Sequence, residues 1–124
     1  MRTTGWIVVA GIVAALLAFA PAALAKDGDV RVAGTCTKAS TSKLKLSRED
    51  AGTEVEFEVD QNRNGVRWHV ALFRNGTQVA SRVRVTRAPS GSFEARFAAG
   101  GPGRFVARAT SPTGERCTAR ASMA

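Results

Sequence analysis

The chain has 124 residues, 18 basic and 10 acidic side chains, a net charge of +8 and no tyrosine. That length excludes more than one sizeable domain, and one histidine with two cysteines falls short of a four-ligand zinc site. The positive balance permits attraction to nucleic acid, anionic lipid or acidic polymers and specifies none of them.

Residues 1–25 read as a signal peptide. Met1-Arg2 gives a positive start, an apolar run follows from Trp6 to Phe19, and Pro21 breaks it. Ala23-Leu24-Ala25 then places small residues at −3 and −1 of a peptidase site. Gly5 to Ala25 is barely long enough to remain as an uncleaved span, and no cysteine adjoins the site for lipid attachment. Removal takes one positive charge, Arg2, and leaves a 99-residue domain, 26–124, of net charge +7. The expected product is secreted, with no membrane span in the mature chain. In that oxidising compartment the lone pair Cys36 and Cys117 reads as a disulfide enclosing most of the domain.

From Val30 onward apolar residues recur with period two, the strand signature. Val30, Val32 and Cys36 share a face. Leu44 and Leu46 alternate with lysines, and Val55, Phe57 and Val59 with Glu54, Glu56, Glu58 and Asp60. Val66, Trp68, Val70 and Leu72 alternate with Arg67 and His69, and Val79, Val83 and Val85 with Arg82 and Arg84. Phe93 to Phe97, Phe105 to Ala109 and Cys117 to Ala119 complete the series. Turn residues separate them, among them Asp50-Ala51-Gly52, Asn75-Gly76 and Gly100-Gly101-Pro102-Gly103. Seven or eight short strands spaced in this way predict an all-β, two-sheet sandwich.

Asn75-Gly76 predicts a type I′ hairpin. A regular two-residue loop pairs Arg74 with Thr77, so that Leu72 faces Val79, Trp68 faces Val83 and Val66 faces Val85. A meander of the middle strands sets Lys43 and Lys45 opposite Glu58 and Glu56, and these opposite Arg67 and His69. Glu94 falls opposite Arg108 if Phe97 pairs with Phe105. Such cross-strand ion pairs help to fix strand order.

No catalytic constellation emerges. His69 stands alone on the outer side of a strand, without the orienting partner and nucleophile that acid–base catalysis needs. No serine lies in a nucleophile-elbow motif. The run Glu54, Glu56, Glu58, Asp60 reads as a solvated ion-pair ladder rather than a calcium site. Asn75-Gly76-Thr77 matches a glycosylation triplet, but the turn alone accounts for it. Trp68 reads as a core anchor. The arginines Arg63, Arg67, Arg74, Arg82, Arg84 and Arg87 gather in one hairpin and its flanks, where charge discourages edge-to-edge aggregation. In the regular register Arg67 and Arg84 lie across from one another, leaving Arg67, Arg82 and Arg84 as a candidate strip for an anionic partner.

Several stretches carry a family likeness: Val-Arg-Val-Ala-Gly-Thr-Cys at 30–36, Ser-Lys-Leu-Lys-Leu at 42–46, Glu-Val-Glu-Phe-Glu-Val-Asp at 54–60, Pro-Ser-Gly-Ser-Phe-Glu at 89–94, and Cys117. In these the chain resembles small secreted proteins of actinobacteria, over nearly all of residues 26–124. The resemblance implies an immunoglobulin-like β-sandwich and carries no function with it. The absence of tyrosine leaves nothing to make the tyrosine corner of true immunoglobulin domains, and the cysteines sit near the two ends of the domain. The expected role is a secreted, non-enzymatic binding module at or beyond the cell envelope, needing no cofactor or metal, with a protein or an anionic polymer as partner. The alternatives are a polyanion binder acting through the arginine hairpin, and a small enzyme inhibitor presenting Gly100-Gly101-Pro102-Gly103.

Overall fold

A strand of period two can bury its apolar face only if a second layer covers it. The computed structural model describes residues 28–124, and the expected signal peptide lies outside the described residues. Nine strands form among them: β1 (Val30–Ala33), β2 (Thr35–Cys36), β3 (Thr41–Glu49), β4 (Gly52–Asp60), β5 (Arg67–Arg74), β6 (Thr77–Val85), β7 (Ser92–Ala99), β8 (Gly103–Thr110) and β9 (Arg116–Met123). They make two antiparallel sheets, a four-stranded one in the order β1-β3-β4-β7 and a five-stranded one in the order β2-β9-β8-β5-β6. Leu44, Leu46, Val55, Phe57 and Phe93 from the first sheet meet Trp68, Val70, Leu72, Phe105 and Cys117 from the second in one buried cluster. No helix of the described residues is long and apolar enough to cross a membrane.

The ninth strand comes from a division at Gly34. Val30–Ala33 pairs with β3, while Thr35–Cys36 pairs with β9 in the other sheet. A Cβ at position 34 would run into the Ser42 hydroxyl, the Thr118 carbonyl and the Ala119 side chain. Only glycine lets the chain cross where the sheets converge. Cys36 and Cys117 then lie directly opposite one another and form the expected disulfide, within the five-stranded sheet rather than between sheets.

The β3–β4 hairpin has the expected pairs, Lys43 with Glu58 at 3.3 Å and Lys45 with Glu56 at 3.4 Å. The next expected neighbour is wrong. β4 pairs with β7, so Glu56 faces Arg96 and Glu58 faces Glu94, and neither meets Arg67 or His69. Arg96 relieves the like-charged pair by binding Glu94 at 2.6 Å and Glu56 at 3.2 Å. Its hydrogen bond to Glu94, then the charges of Glu94 and Glu56, raise its pKa above the usual arginine value. Phe97 pairs with Val55 rather than Phe105, and Glu94 and Arg108 belong to different sheets. Alternation says which face of a strand is apolar, but not whether the next strand continues the sheet or crosses to the other one.

The hairpin turn forms as expected, with φ of 51° at Asn75 and 85° at Gly76, and Arg74 opposite Thr77. One step further the register slips. Phe73 pairs with Gln78, but Leu72 pairs with Ala80, leaving one extra residue, Val79, on β6. Beyond this bulge Val70 faces Arg82 and Trp68 faces Arg84, while Val83 and Val85 fall opposite His69 and Arg67. The three valines are therefore outward, 49 %, 38 % and 38 % exposed, instead of covering Leu72, Trp68 and Val66. The cause is the place of β6 at the rim of the sandwich. There a long amphipathic side chain can lay its stem on the core and keep its head in water. The Arg82 guanidinium sits 5.1 Å from the centre of the Phe97 ring, across on the other sheet.

Candidate functional site: the outer face of the five-stranded sheet

Alternation along β8 and β9 buries Phe105, Ala107, Ala109, Cys117 and Ala119 and turns the residues between them outward. Those residues are Arg104, Val106, Arg108 and Thr110 on β8, and Arg116, Thr118, Arg120 and Ser122 on β9. Pairing sets them in rows: Arg104 beside Ser122, Val106 beside Arg120, Arg108 beside Thr118, and Thr110 beside Arg116. Each row carries one arginine, alternating between the strands. β5 continues the rows with Phe73, Ala71 and His69 and adds Arg67 at its far end. β6 closes them with Gln78, Ser81, Val83 and Val85.

Five arginines and a histidine thus share a face that holds no carboxylate among the described residues. None of Arg67, Arg104, Arg108, Arg116 and Arg120 forms an ion pair among the described residues, and the Arg108 guanidinium lies 5.2 Å from the centre of the Phe73 ring. The four-stranded sheet is built the opposite way. Its outer glutamates Glu56, Glu58 and Glu94 are interleaved with Lys43, Lys45 and Arg96 in the ion pairs described above. A shallow groove of about 480 Å³ runs across the cationic face past His69, Phe73, Ser81, Val83, Arg108 and Thr110. Guanidinium groups remain protonated throughout the physiological range and offer fixed donors. The arrangement therefore suits the holding of anions rather than proton transfer.

Of the residues singled out in the sequence, Arg67 lies on this face, while Arg82 and Arg84 fall opposite the inward Val70 and Trp68, although Arg82 also borders the groove. Their guanidiniums also donate to carbonyls of their own strand, Arg82 to Ser81 at 2.8 Å and Arg84 to Val83 at 3.0 Å. β6 has a partner strand on one side only, so these bonds occupy acceptors of an edge, the kind of protection that edge strands need. Arg74 is spent on the Pro102 carbonyl at 2.8 Å. Asn75 accepts a hydrogen bond from the Arg104 backbone at 2.9 Å, which ties the turn to β8. Trp68 is fully buried.

Near the bridge, Glu115 is 4 % exposed and accepts from the Ser40 hydroxyl at 2.7 Å and the Ser40 backbone at 3.0 Å. Cys36, Glu115 and Cys117 lie as close together as the ligands of a metal ion would, but the two sulfurs are bonded to each other.

The sequence alone does not single out Arg104, Arg108, Arg116 and Arg120, although a signal is present. Arginines four apart around Phe105-Val106-Ala107 and again around Cys117-Thr118-Ala119 share one face of a strand. They escape notice because a charged outer face is the ordinary state of a sandwich. What sets this one apart, the lack of any acidic neighbour, depends on which strands adjoin. No protein-family model, curated protein or solved structure matches the chain.

Proposed function

We propose that the chain is exported, loses residues 1–25 and acts at or beyond the cell envelope as a non-enzymatic binding module of the immunoglobulin-like sandwich class. Its outer face on the five-stranded sheet holds an anionic partner. The observation that carries this reading is the segregation of charge. A surface selected only for solubility mixes both signs, as the outer face of the four-stranded sheet does. Clustered guanidiniums without counter-charges repel one another and raise the local potential, and an anionic partner relieves both.

Two measurements check this. Intact mass of the exported protein is expected to correspond to residues 26–124 with the disulfide closed; a full-length product held in the membrane overturns the export reading. On a heparin or phosphocellulose column, Arg108→Ser/Arg120→Ser is expected to elute at clearly lower salt than the wild type. Arg82→Ser/Arg84→Ser is expected to stay near the wild type. Arg108→Ser/Arg120→Ser should leave stability within about 0.5 kcal/mol per exposed site, whereas Arg82→Ser/Arg84→Ser should cost more, because it uncovers the core edge beside Phe97. Retention that instead follows Arg82 and Arg84 would return the site to the hairpin.

A further inference from the structure

Resting on that reading, we infer that the partner is a linear phosphate-bearing polymer that lies along β8 and β9. The first ground is spacing. Arg104, Arg120, Arg108 and Arg116 occupy four successive rows, alternating between two adjacent strands. Rows on one face are about 6.7 Å apart, so the ladder extends over about 20 Å. A compact anion meets one or two of these groups, whereas a chain running with the strands meets all four.

The second ground is chemistry. All the permanent cations of this face are arginine. The described lysines lie elsewhere: Lys43 and Lys45 on the four-stranded sheet, and Lys38 between β2 and β3. Arginine is the side chain suited to two-point binding of phosphate or carboxylate. Three of the four ladder arginines stand beside a hydroxyl: Arg104 beside Ser122, Arg108 beside Thr118, and Arg116 beside Thr110. A carboxylate bound two-point to a guanidinium keeps its remaining lone pairs in the plane of that pair. A tetrahedral phosphate that binds a guanidinium still has lone pairs directed at a neighbouring hydroxyl, a common donor to phosphate oxygens.

The third ground concerns what is missing between the charges. Recognition of single-stranded nucleic acid relies on free aromatic faces that stack on bases. Among the described residues Phe73 is the one phenyl or indole ring that is not buried, and Arg108 already covers it, which leaves the small His69 ring as the one uncovered aromatic on this face. The face reads the charge of a backbone and not the rings attached to it.

The test uses the mature disulfide-bonded protein and long-chain inorganic polyphosphate, with binding followed by titration calorimetry over a range of salt. About 0.7 of an ion is released per phosphate neutralised on a flexible strand, so four contacts give a slope of log K against log salt near −3. Arg108→Ser/Arg120→Ser is expected to weaken binding at least tenfold and to flatten the slope by about 1.4. Arg31→Ser, on the four-stranded sheet, is expected to change affinity about threefold or less. Tripolyphosphate, too short to span the rows, is expected to bind at least tenfold more weakly than the long chain. Circular dichroism of each variant guards against misfolding.

Four results overturn the inference. Polyglutamate or heparin binding as tightly as polyphosphate removes the preference for phosphate and leaves the anionic-partner reading standing. Oligo-dT binding more tightly than polyphosphate shows that bases are read. Binding confined to anionic phospholipid vesicles replaces the polymer by a lipid surface. No binding to any of these probes at low salt removes both the inference and the reading beneath it.

Discussion

Replacing Trp68 with alanine is expected to destabilise the domain by about 3–5 kcal/mol, the range for deleting a large aromatic side chain from a packed core. The ring is completely buried. It packs 5.9 Å from the Phe93 ring at 49°, so it joins the five-stranded sheet to the four-stranded one. Its Nε1 donates to Gln61 Oε1 at 3.0 Å, which anchors the loop between β4 and β5. Truncation therefore removes apolar burial, leaves a cavity and releases a loop in one step. Against a net stability of order 5–15 kcal/mol, such a loss brings the domain close to unfolding.

Trp68→Phe separates these contributions. It keeps most of the apolar volume and loses the indole donor, and Gln61 is only half-buried and can find water. The part of the cost due to the hydrogen bond is expected to be about 1 kcal/mol. Urea unfolding with matched m values measures both changes. Of the two tryptophans, Trp6 falls in the expected leader, so in the mature chain fluorescence reports on Trp68 alone. A loss below about 1 kcal/mol for Trp68→Ala would mean that the ring is exposed in solution and free to stack on a ligand.

The second large effect is expected from removal of the disulfide. Cys36 and Cys117 are 81 positions apart, and closing a loop of that length restricts the unfolded chain by about 4.5 kcal/mol in the chain-entropy model. The folded side of the balance points the same way. β2 is two residues long and borders β9 alone, so without the bridge it is held by little more than its short backbone ladder. Cys36→Ala/Cys117→Ala is expected to lose about 2–5 kcal/mol. Each kilocalorie should lower the melting temperature by about 4–8 °C in a domain of this size. The first strands to become labile in hydrogen exchange should be β2 and the β9 residues beside it. Equal melting temperatures for the oxidised protein and the double alanine variant would show that the bridge does not stabilise the domain.

Class, layer count and the paired cysteines were legible from the residues alone, because each rests on a local regularity. Strict alternation from Leu44 to Leu46 and from Val55 to Val59 can hide its apolar face only under a second layer, which in a chain without a helical period is another sheet, and two lone cysteines in one domain have only each other. The Asn75-Gly76 turn and the pairing of Lys43 with Glu58 and Lys45 with Glu56 were also readable, since a hairpin joins strands through a short connection of known geometry. Tertiary structure decided the rest. Whether β5 continues the sheet of β4 or crosses to the other layer depends on how the two layers close, and no residue of β4 encodes that choice. The bulge at Val79 has no glycine to announce it. It follows from the exposed rim, where arginine stems cover the core edge and valines tolerate partial exposure, and one extra residue exchanged the faces of Arg82 and Val83. For the same reason the proposed anion-binding face draws on other strands than the expected Arg67, Arg82 and Arg84 strip. Its arginines were visible on β8 and β9 as a periodic pattern, but an electrostatic field is a sum over neighbours in space, and only the folded sheets place every acidic strand on the opposite side of the molecule.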